Sequence, residues 1–306
     1  MIDPPAAFAA ACRRRDPIGA GGTNALRLLD GAGDGPAFRG LIIDDFAGRW
    51  LVQTAAPGAR PPDWLRTFAP PPRSIYWKQL DSRTQNAPTF WAGEKVAAPF
   101  AIQENGLRYL VDFQAGYSQG LFLDQRDNRL AVAQRSGADD TLLNCFAYTC
   151  AFAVAAAVAG AHTVSIDLSR RSLDWGRENF ALNGMDAQRP EFLAGDVFDW
   201  LRRFVKQGRR FSGIVLDPPT FSRNRDGNIF RVENDFRRLV ELSAPLLAPN
   251  GWMLCTTNQR SLSGAEFRRM IVVALPSAAK WRLESAPMPP DFTGEQYLQS
   301  IWASRA

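Results

Sequence analysis

The stretch "TLLNCFAYTCAFAVAAAVAGAHTVSIDLS" (141–169) decides the fold. "TLLNCFAY" (141–148) reads as a buried strand. "CAFAVAAAVAG" (150–160) is an Ala-rich helix that stops at Gly160. "HTVSIDLS" (162–169) is a second strand, and it ends at an acid, Asp167. Strand, helix and strand within about 30 residues make a βαβ unit, whose strands lie parallel.

The alternation continues outward from this unit. A helix over "RRSLDWGRENFALNG" (170–184) leads to a strand, "PEFLAGD" (190–196), and a helix, "VFDWLRRFVKQ" (197–207). "FSGIVLD" (211–217) is a fourth strand, "VENDFRRLVELSAPLLA" (232–248) a helix and "GWMLCTTN" (251–258) a fifth strand. After the helix "SGAEFRRMIVVAL" (263–275), "WRLESAP" (281–287) and "EQYLQSIWAS" (295–304) close the chain as two antiparallel edge strands. The pattern predicts an α/β fold with a doubly wound, mostly parallel seven-stranded sheet.

Upstream the pattern differs. Residues 1–23 lack periodicity and are expected to be a loose arm. Residues 24–95 alternate as short strands ("ALRLLDG", "FRGLIIDD", "RWLVQT", "RSIYWKQ") with one short helix at "PPDWLRTFA", a small α+β domain. Residues 96–306 are assigned to the sheet domain. It begins with a hairpin turning at Asn105-Gly106 and a helix from about Asp124.

Of the 306 residues, 46% are apolar and 22% charged, an ordinary globular balance. No apolar run reaches the ~18 residues of a membrane span. In "MIDPPAAFAAACRRR" the basic cluster follows the small apolar run, the wrong polarity for a secretory signal, so cytoplasm is expected. Cys12, Cys145, Cys150 and Cys255 form no C-x-x-C pair, and His162 is the only histidine. Metal chemistry and Ser-His-Asp or Cys-His catalysis are therefore disfavoured. The net charge is +5, with pI near 9.3. Between Asp199 and Arg238 ten Lys/Arg face five Asp/Glu, an excess equal to that of the whole chain. Such a patch suits a polyanion such as RNA. An ordinary solvated face in an Arg-rich chain is a competing reading of equal weight.

Ligands of doubly wound sheets bind beyond the carboxyl ends of the strands. Those ends carry "NCFAYTCA", Asp167, Asp196 and Asp217. An acid at Asp167 can accept both hydroxyls of a ribose, and one at Asp196 an exocyclic amine. Acids also cap helices at such places. Neither G-x-x-x-x-G-K-[ST] nor G-x-G-x-x-G follows the first strand, which disfavours nucleotide phosphates. A nucleoside cofactor without phosphates, such as S-adenosylmethionine, fits.

"GLFLDQRDNR" (120–129), "LLNCFAYTCAFAVAAAVAGA" (142–161), "VSIDLSRRSLDWGRENFALNG" (164–184), "GDVFDWL" (195–201) and "DPPTFSR" (217–223) together resemble class I S-adenosylmethionine-dependent methyltransferases. Within these, the bacterial large-subunit ribosomal RNA enzymes of the K/L and I group are most similar, over about residues 100 to 304. Residues 27–54 resemble the small domain of the I-type enzymes, whose PUA domain has no counterpart in this sequence. The resemblance implies that Asn144, Phe146 and Tyr148 border the methionine end of the cofactor. It further implies that Asp167 and Leu168 hold the ribose, Asp196 and Val197 the adenine, and Asp124, Gln125 and Arg126 the amino-acid end. Asp217, Pro218, Pro219 and Phe221 would form the catalytic elbow: the prolines aim Asp217 and the Pro218 carbonyl at a base edge, and Phe221 stacks on the base. Arg202, Arg203, Arg209, Arg210, Arg223 and Arg225 would grip RNA phosphates. The family usually has glycine at Cys150, so a positive φ there would strain this chain and weaken its cofactor site.

The methylated atom is read by elimination and likeness. C5 methylation of a pyrimidine needs a thiolate, and the I-type cysteine after the fifth strand is replaced here by Asn258. "TTNQR" and "DPPTFS" resemble instead the K-type half, a guanine-N7 enzyme. N7 offers a free lone pair and needs neither nucleophile nor base. The reading therefore favours an rRNA methyltransferase acting on guanine N7. The alternatives are a C5-cytosine enzyme using Cys255 or Cys150, a non-catalytic RNA-binding protein with a decayed cofactor site, and a small-molecule methyltransferase. The oligomeric state stays open.

Overall fold

The computed structural model describes every residue except 1, 2, 57, 81–86, 98, 117, 187, 224–226, 228 and 306. The chain forms two compact units. One holds residues 1–126 with Pro289–Gln296, and the other Asp127–Met288 with Tyr297–Ala306.

In the first unit, α1 (Pro4–Ala20) precedes a five-stranded sheet of β1 (Ala25–Asp30), β2 (Leu41–Phe46), β3 (Arg49–Thr54), β4 (Ser74–Gln79) and β5 (Thr89–Gly93) in sequential order. Only β3 and β4 run parallel. A hairpin follows, β6 (Phe100–Glu104) and β7 (Leu107–Val111). Its turn residues Asn105 and Gly106 both have positive φ, the conformation that this dipeptide favours. The expected short helix at 61–69 is a single 3-10 turn, Asp63–Arg66.

The loose arm expected over 1–23 is not observed, because residues 4–20 are helical. Two prolines preset its first turn. Phe8 is fully buried, its ring 5.4 Å from Trp50, 5.4 Å from Trp64 and 4.9 Å from Phe68. Ala11 is buried beside it, and Ala7, Cys12 and Ile18 pack against the same core.

The first unit also extends past the boundary expected at residue 95. Phe113, beyond the hairpin, packs on Phe46, Tyr76 and Phe100. From far along the chain, Asp291 accepts two hydrogen bonds from Arg126 (2.6 and 3.0 Å) and one from the Arg27 amide (2.9 Å). The Asp291 carbonyl accepts from Arg15, which itself pairs with Asp34 at 2.7 Å. Arg27 bridges Asp30 and Asp44, each at 2.9 Å, beneath the Phe292 ring. These charges are buried, and mutual pairing is what makes their desolvation tolerable.

The second unit starts with α2 (Arg126–Gln134), whose first residue ends the first unit. It continues through β8 (Thr141–Cys145), α3 (Ala151–Val158), β9 (His162–Asp167), α4 (Arg170–Leu182), β10 (Glu191–Ala194), α5 (Val197–Gln207) and β11 (Phe211–Leu216). A small ribbon, β12 (Phe221–Arg223) and β13 (Ile229–Arg231), precedes α6 (Val232–Ser243), β14 (Leu247–Thr257), α7 (Gly264–Ala274), β15 (Trp281–Ala286) and β16 (Gln299–Arg305). The seven-stranded sheet has the order β10-β9-β8-β11-β14-β16-β15, as the expected fold class requires. Five strands are parallel, and β16 pairs antiparallel with both β14 and β15. Both faces are covered. Leu143, Ile214, Leu216, Met253 and Cys255 pack in one core with α5, α6 and α7. Leu142, Val215, Trp252 and Leu254 alternate with them and pack on the other side with α2 and α3. Burial on two faces explains why these strands read as continuous apolar runs.

Asp291→Ala is expected to destabilise the protein by about 3–5 kcal/mol in urea unfolding, because it strands the buried Arg126 charge. Asp199→Ala, which breaks an exposed pair with Arg202, is expected to cost under about 1 kcal/mol.

Candidate active site

The registers align the strand ends. Ile166 lies beside Cys145, Leu216 beside Cys145 and Cys255, and Ala194 beside Asp167. Asp167, Phe146 and Asp217 therefore leave the sheet at the same rim, and Asp196 follows two residues after Ala194. The chain winds from β8 towards β10 on one side and from β11 towards β14 on the other. The switch point, where such sheets bind ligands, is thus between β8 and β11.

The loop after β8 is strained. Phe146, Tyr148 and Cys150 have φ of 56°, 47° and 61°, left-handed values that cost non-glycine residues about 1–2 kcal/mol each. Asp167 holds this loop. Its Oδ2 accepts from the Tyr148 amide and its Oδ1 from the Ser169 amide, both at 2.8 Å. Asn179 of α4, fully buried, donates to the Thr149 carbonyl at 2.9 Å. Cys150 has the positive φ that the family's glycine would take without strain, and the structure supplies the space its side chain needs. A Cβ at Gly176 of α4 would lie 2.5 Å from Cys150 Sγ, so the missing side chain of Gly176 is the notch that receives the thiol.

A cleft of about 330 Å³ opens beside this loop. It is lined by Phe146, Leu168, Asp196, Val197 and Arg202, five residues expected from the sequence, and also by Phe198, Asp199, Ile229, Phe230, Asp235 and Arg238. Asp196 serves two purposes: it lines the cleft, and its Oδ1 caps α5 by accepting from the amides of Phe198 (2.9 Å) and Asp199 (3.3 Å). The capping role weighed against its adenine role is therefore present as well. Asp217 accepts from the Thr256 hydroxyl of β14, which fixes the carboxylate at the start of the elbow. Asn144 is 1% exposed in β8, and its amide nitrogen has no partner among the described residues.

Other expected residues are placed differently. The Arg126 guanidinium is committed to Asp291, and Asp124 and Gln125 precede it in the first unit. Phe221 is 48% exposed and does not line the cleft; it stands on β12 with the Arg231 guanidinium 5.2 Å from its ring centroid. Pro218 and Pro219 form the link from β11 to β12.

The basic face is divided. Arg209 is tied to Glu191 of β10 at 2.7 and 3.0 Å and lies over Phe204 and Phe211, so it braces the fold. This pairing holds the Glu191 carboxyl below its usual range. Arg203 lies over Trp200, and Arg210 donates to the Arg209 carbonyl. Arg202 and Arg238 line the cleft, and Arg223 is exposed on the ribbon. Arg225 lies outside the described residues. Among the described residues no group of three or more His, Cys, Asp or Glu could hold a metal ion.

The family described as S-adenosylmethionine-dependent methyltransferase matches residues 72–301. The chain belongs to the S-adenosylmethionine-dependent methyltransferases. Proteins named ribosomal RNA large subunit methyltransferase I are similar to this methyltransferase. That of Aeromonas salmonicida is 34% identical over 281 residues, covering 87% of this chain and 69% of the relative. That of Klebsiella pneumoniae is 34% identical over 269 residues, covering 85% and 66%. The crystal structure of SMU.776 complexed with SAH is similar at 27% identity, with a TM-score of 0.87 over 98% of this chain and 80% of that one.

The methyltransferase's cofactor is S-adenosylmethionine, and the rim residues fit it. Each Asp167 oxygen accepts one amide and so keeps a second lone pair for a ribose hydroxyl. Leu168 and Val197 present apolar surface for a base, and the unpartnered Asn144 amide is a donor without an acceptor.

Two outcomes follow from this geometry. Burial raises the Asp167 carboxyl above its ordinary 3.8, against the two amides that favour its charge. A ribose held by Asp167 would be met by the charged form, and lowering the pH protonates it. Cofactor affinity measured by calorimetry is therefore expected to fall on acidification from a higher pH than an ordinary aspartate would give. Asp167→Asn is expected to lose about tenfold or more and to flatten that profile. Gly176→Ala is expected to cost about 1–3 kcal/mol by overpacking the Cys150 thiol, and adding Cys150→Gly to restore much of the loss in thermal unfolding.

Proposed function

We propose that this methyltransferase acts in the cytoplasm on RNA of the large ribosomal subunit, placing the methyl group on guanine N7. The substrate class is supported by the names of its relatives and by the chain's net charge of +5. The atom is supported by one observation: the cysteines of the catalytic unit are not available as nucleophiles. Cys145, Cys150 and Cys255 are all fully buried. Burial pushes the Cys150 thiol up to about 12, and those of Cys145 and Cys255 higher still. A C5-pyrimidine route needs a thiolate that reaches the base.

When bound, S-adenosylmethionine supplies an activated methyl group. The protein's own contribution is placement. Asp167 would orient the ribose, and Leu168, Val197 and Phe230 would hold the adenine with Asp196 at its edge. Asp217, steadied by Thr256, would meet the edge of the target base together with the Pro218 carbonyl. Guanine N7 has a lone pair and no proton to lose, so this arrangement needs no general base. Positioning of this kind supplies much of the rate of a bimolecular transfer. The notch at Gly176 supports a working cofactor site over a decayed one, since the thiol of Cys150 is housed without blocking the rim.

The test is methylation of ribosomal RNA from a strain lacking the gene, followed by nucleoside mass spectrometry. The expected product is 7-methylguanosine in the large-subunit RNA. 5-Methylcytidine would overturn the atom, and an unmodified RNA would overturn the substrate. Cys255→Ala is expected to keep wild-type turnover.

A further inference from the structure

The cofactor cleft takes up Ser222, Ile229 and Phe230 of the ribbon of β12 and β13 and leaves Phe221, Arg223 and Arg231 unaccounted for. Its register sets Phe221 opposite Arg231, Ser222 opposite Phe230 and Arg223 opposite Ile229. Side chains alternate along a strand. Ser222 and Phe230 therefore share the inner face, where Phe230 lies 5.6 Å from Phe146 and 6.1 Å from Phe198. Phe221, Arg223, Ile229 and Arg231 share the outer face, at whose edge Ile229 also lines the cleft while the other three do not.

That outer face is costly to leave bare. Phe221 is 48% and Ile229 44% exposed, on two three-residue strands. The apolar side chains and the guanidiniums sit corner to corner, and none of the four residues is acidic. A flat apolar surface flanked by cations matches the chemistry of an unpaired nucleic acid strand, whose bases stack while its phosphates pair with arginine. Base-paired RNA hides the faces that an aromatic ring would meet. The ribbon is also tied to the elbow: Phe221 is four residues from Asp217, so at most about 14 Å of extended chain separates them.

We propose that this outer face binds the unpaired RNA strand adjoining the methylated nucleotide. Phe221 stacks on a neighbouring base, and Arg223 and Arg231 hold the flanking phosphates. The proposal rests on the RNA reading above and reassigns Phe221 from the target base to its neighbour.

The test uses the full chain with Phe221→Ala, and with Arg223→Glu and Arg231→Glu combined. None of these residues lines the cleft, so calorimetry with S-adenosylmethionine reports whether the site is intact. With wild-type cofactor affinity retained, the KM for ribosomal RNA is expected to rise about tenfold in Phe221→Ala. The arginine pair is expected to lose binding to a short fluorescent unpaired oligoribonucleotide. Restoring the charges as Arg223→Lys and Arg231→Lys should recover it and return about 1.4 units of salt slope, about 0.7 for each phosphate contact on a single strand. Wild-type KM values in both variants, or tighter binding of a duplex of the same sequence, would overturn the inference and leave the proposed function standing. A wild-type protein that transfers no methyl group to RNA would overturn the proposed function itself, and the inference with it.

Discussion

One carboxylate joins two strand ends. Asp167 accepts from an amide in the turn after β8 and from another in the turn after its own strand, β9. The first of these turns has three non-glycine residues with positive φ within five positions. Such a loop persists only if its surroundings over-determine it. Asp167, the buried amide of Asn179 and the notch at Gly176 do so from three directions. The position of Phe146, and through it the near wall of the cleft, depends on that restraint.

The other rim acids have comparable double duties. Asp196 caps α5 and lines the cleft, and Asp217 is held by Thr256 at the entry to the elbow. Each is fixed by the fold before a ligand arrives. Preorganised polar groups lose little freedom on binding, which favours a site whose task is placement over proton transfer.

The parallel architecture was legible because two-sided burial leaves long apolar runs, and the rim acids because each run stops at one. What escaped the sequence depends on single or distant contacts. The helix at 4–20 packs through Phe8, Ala11, Cys12 and Ile18, a helical spacing that the buried, ion-paired Arg15 interrupts with a charge. Arg126 and Arg209 read as ligand-facing cations, but acids elsewhere in the chain, Asp291 and Glu191, claim them. Phe221 read as a base-stacking ring in the pocket. Its face is set by the pairing of two three-residue strands, which are too short to carry an alternation. Gly176 was visible as an isolated glycine in a helix, a sign of close approach, but its partner Cys150 lies in another motif.

The link from β15 to β16 has a consequence for biosynthesis. Residues 289–296 belong to the first unit, yet β16, which completes the second, comes after them. While the chain is still emerging from the ribosome, the Arg126 guanidinium and the Arg27 amide are without Asp291. The first unit then holds an unmatched Arg126 until residues 127–288, most of the second unit, have been made. Closure of the first unit's core is thereby made to follow translation of most of the second.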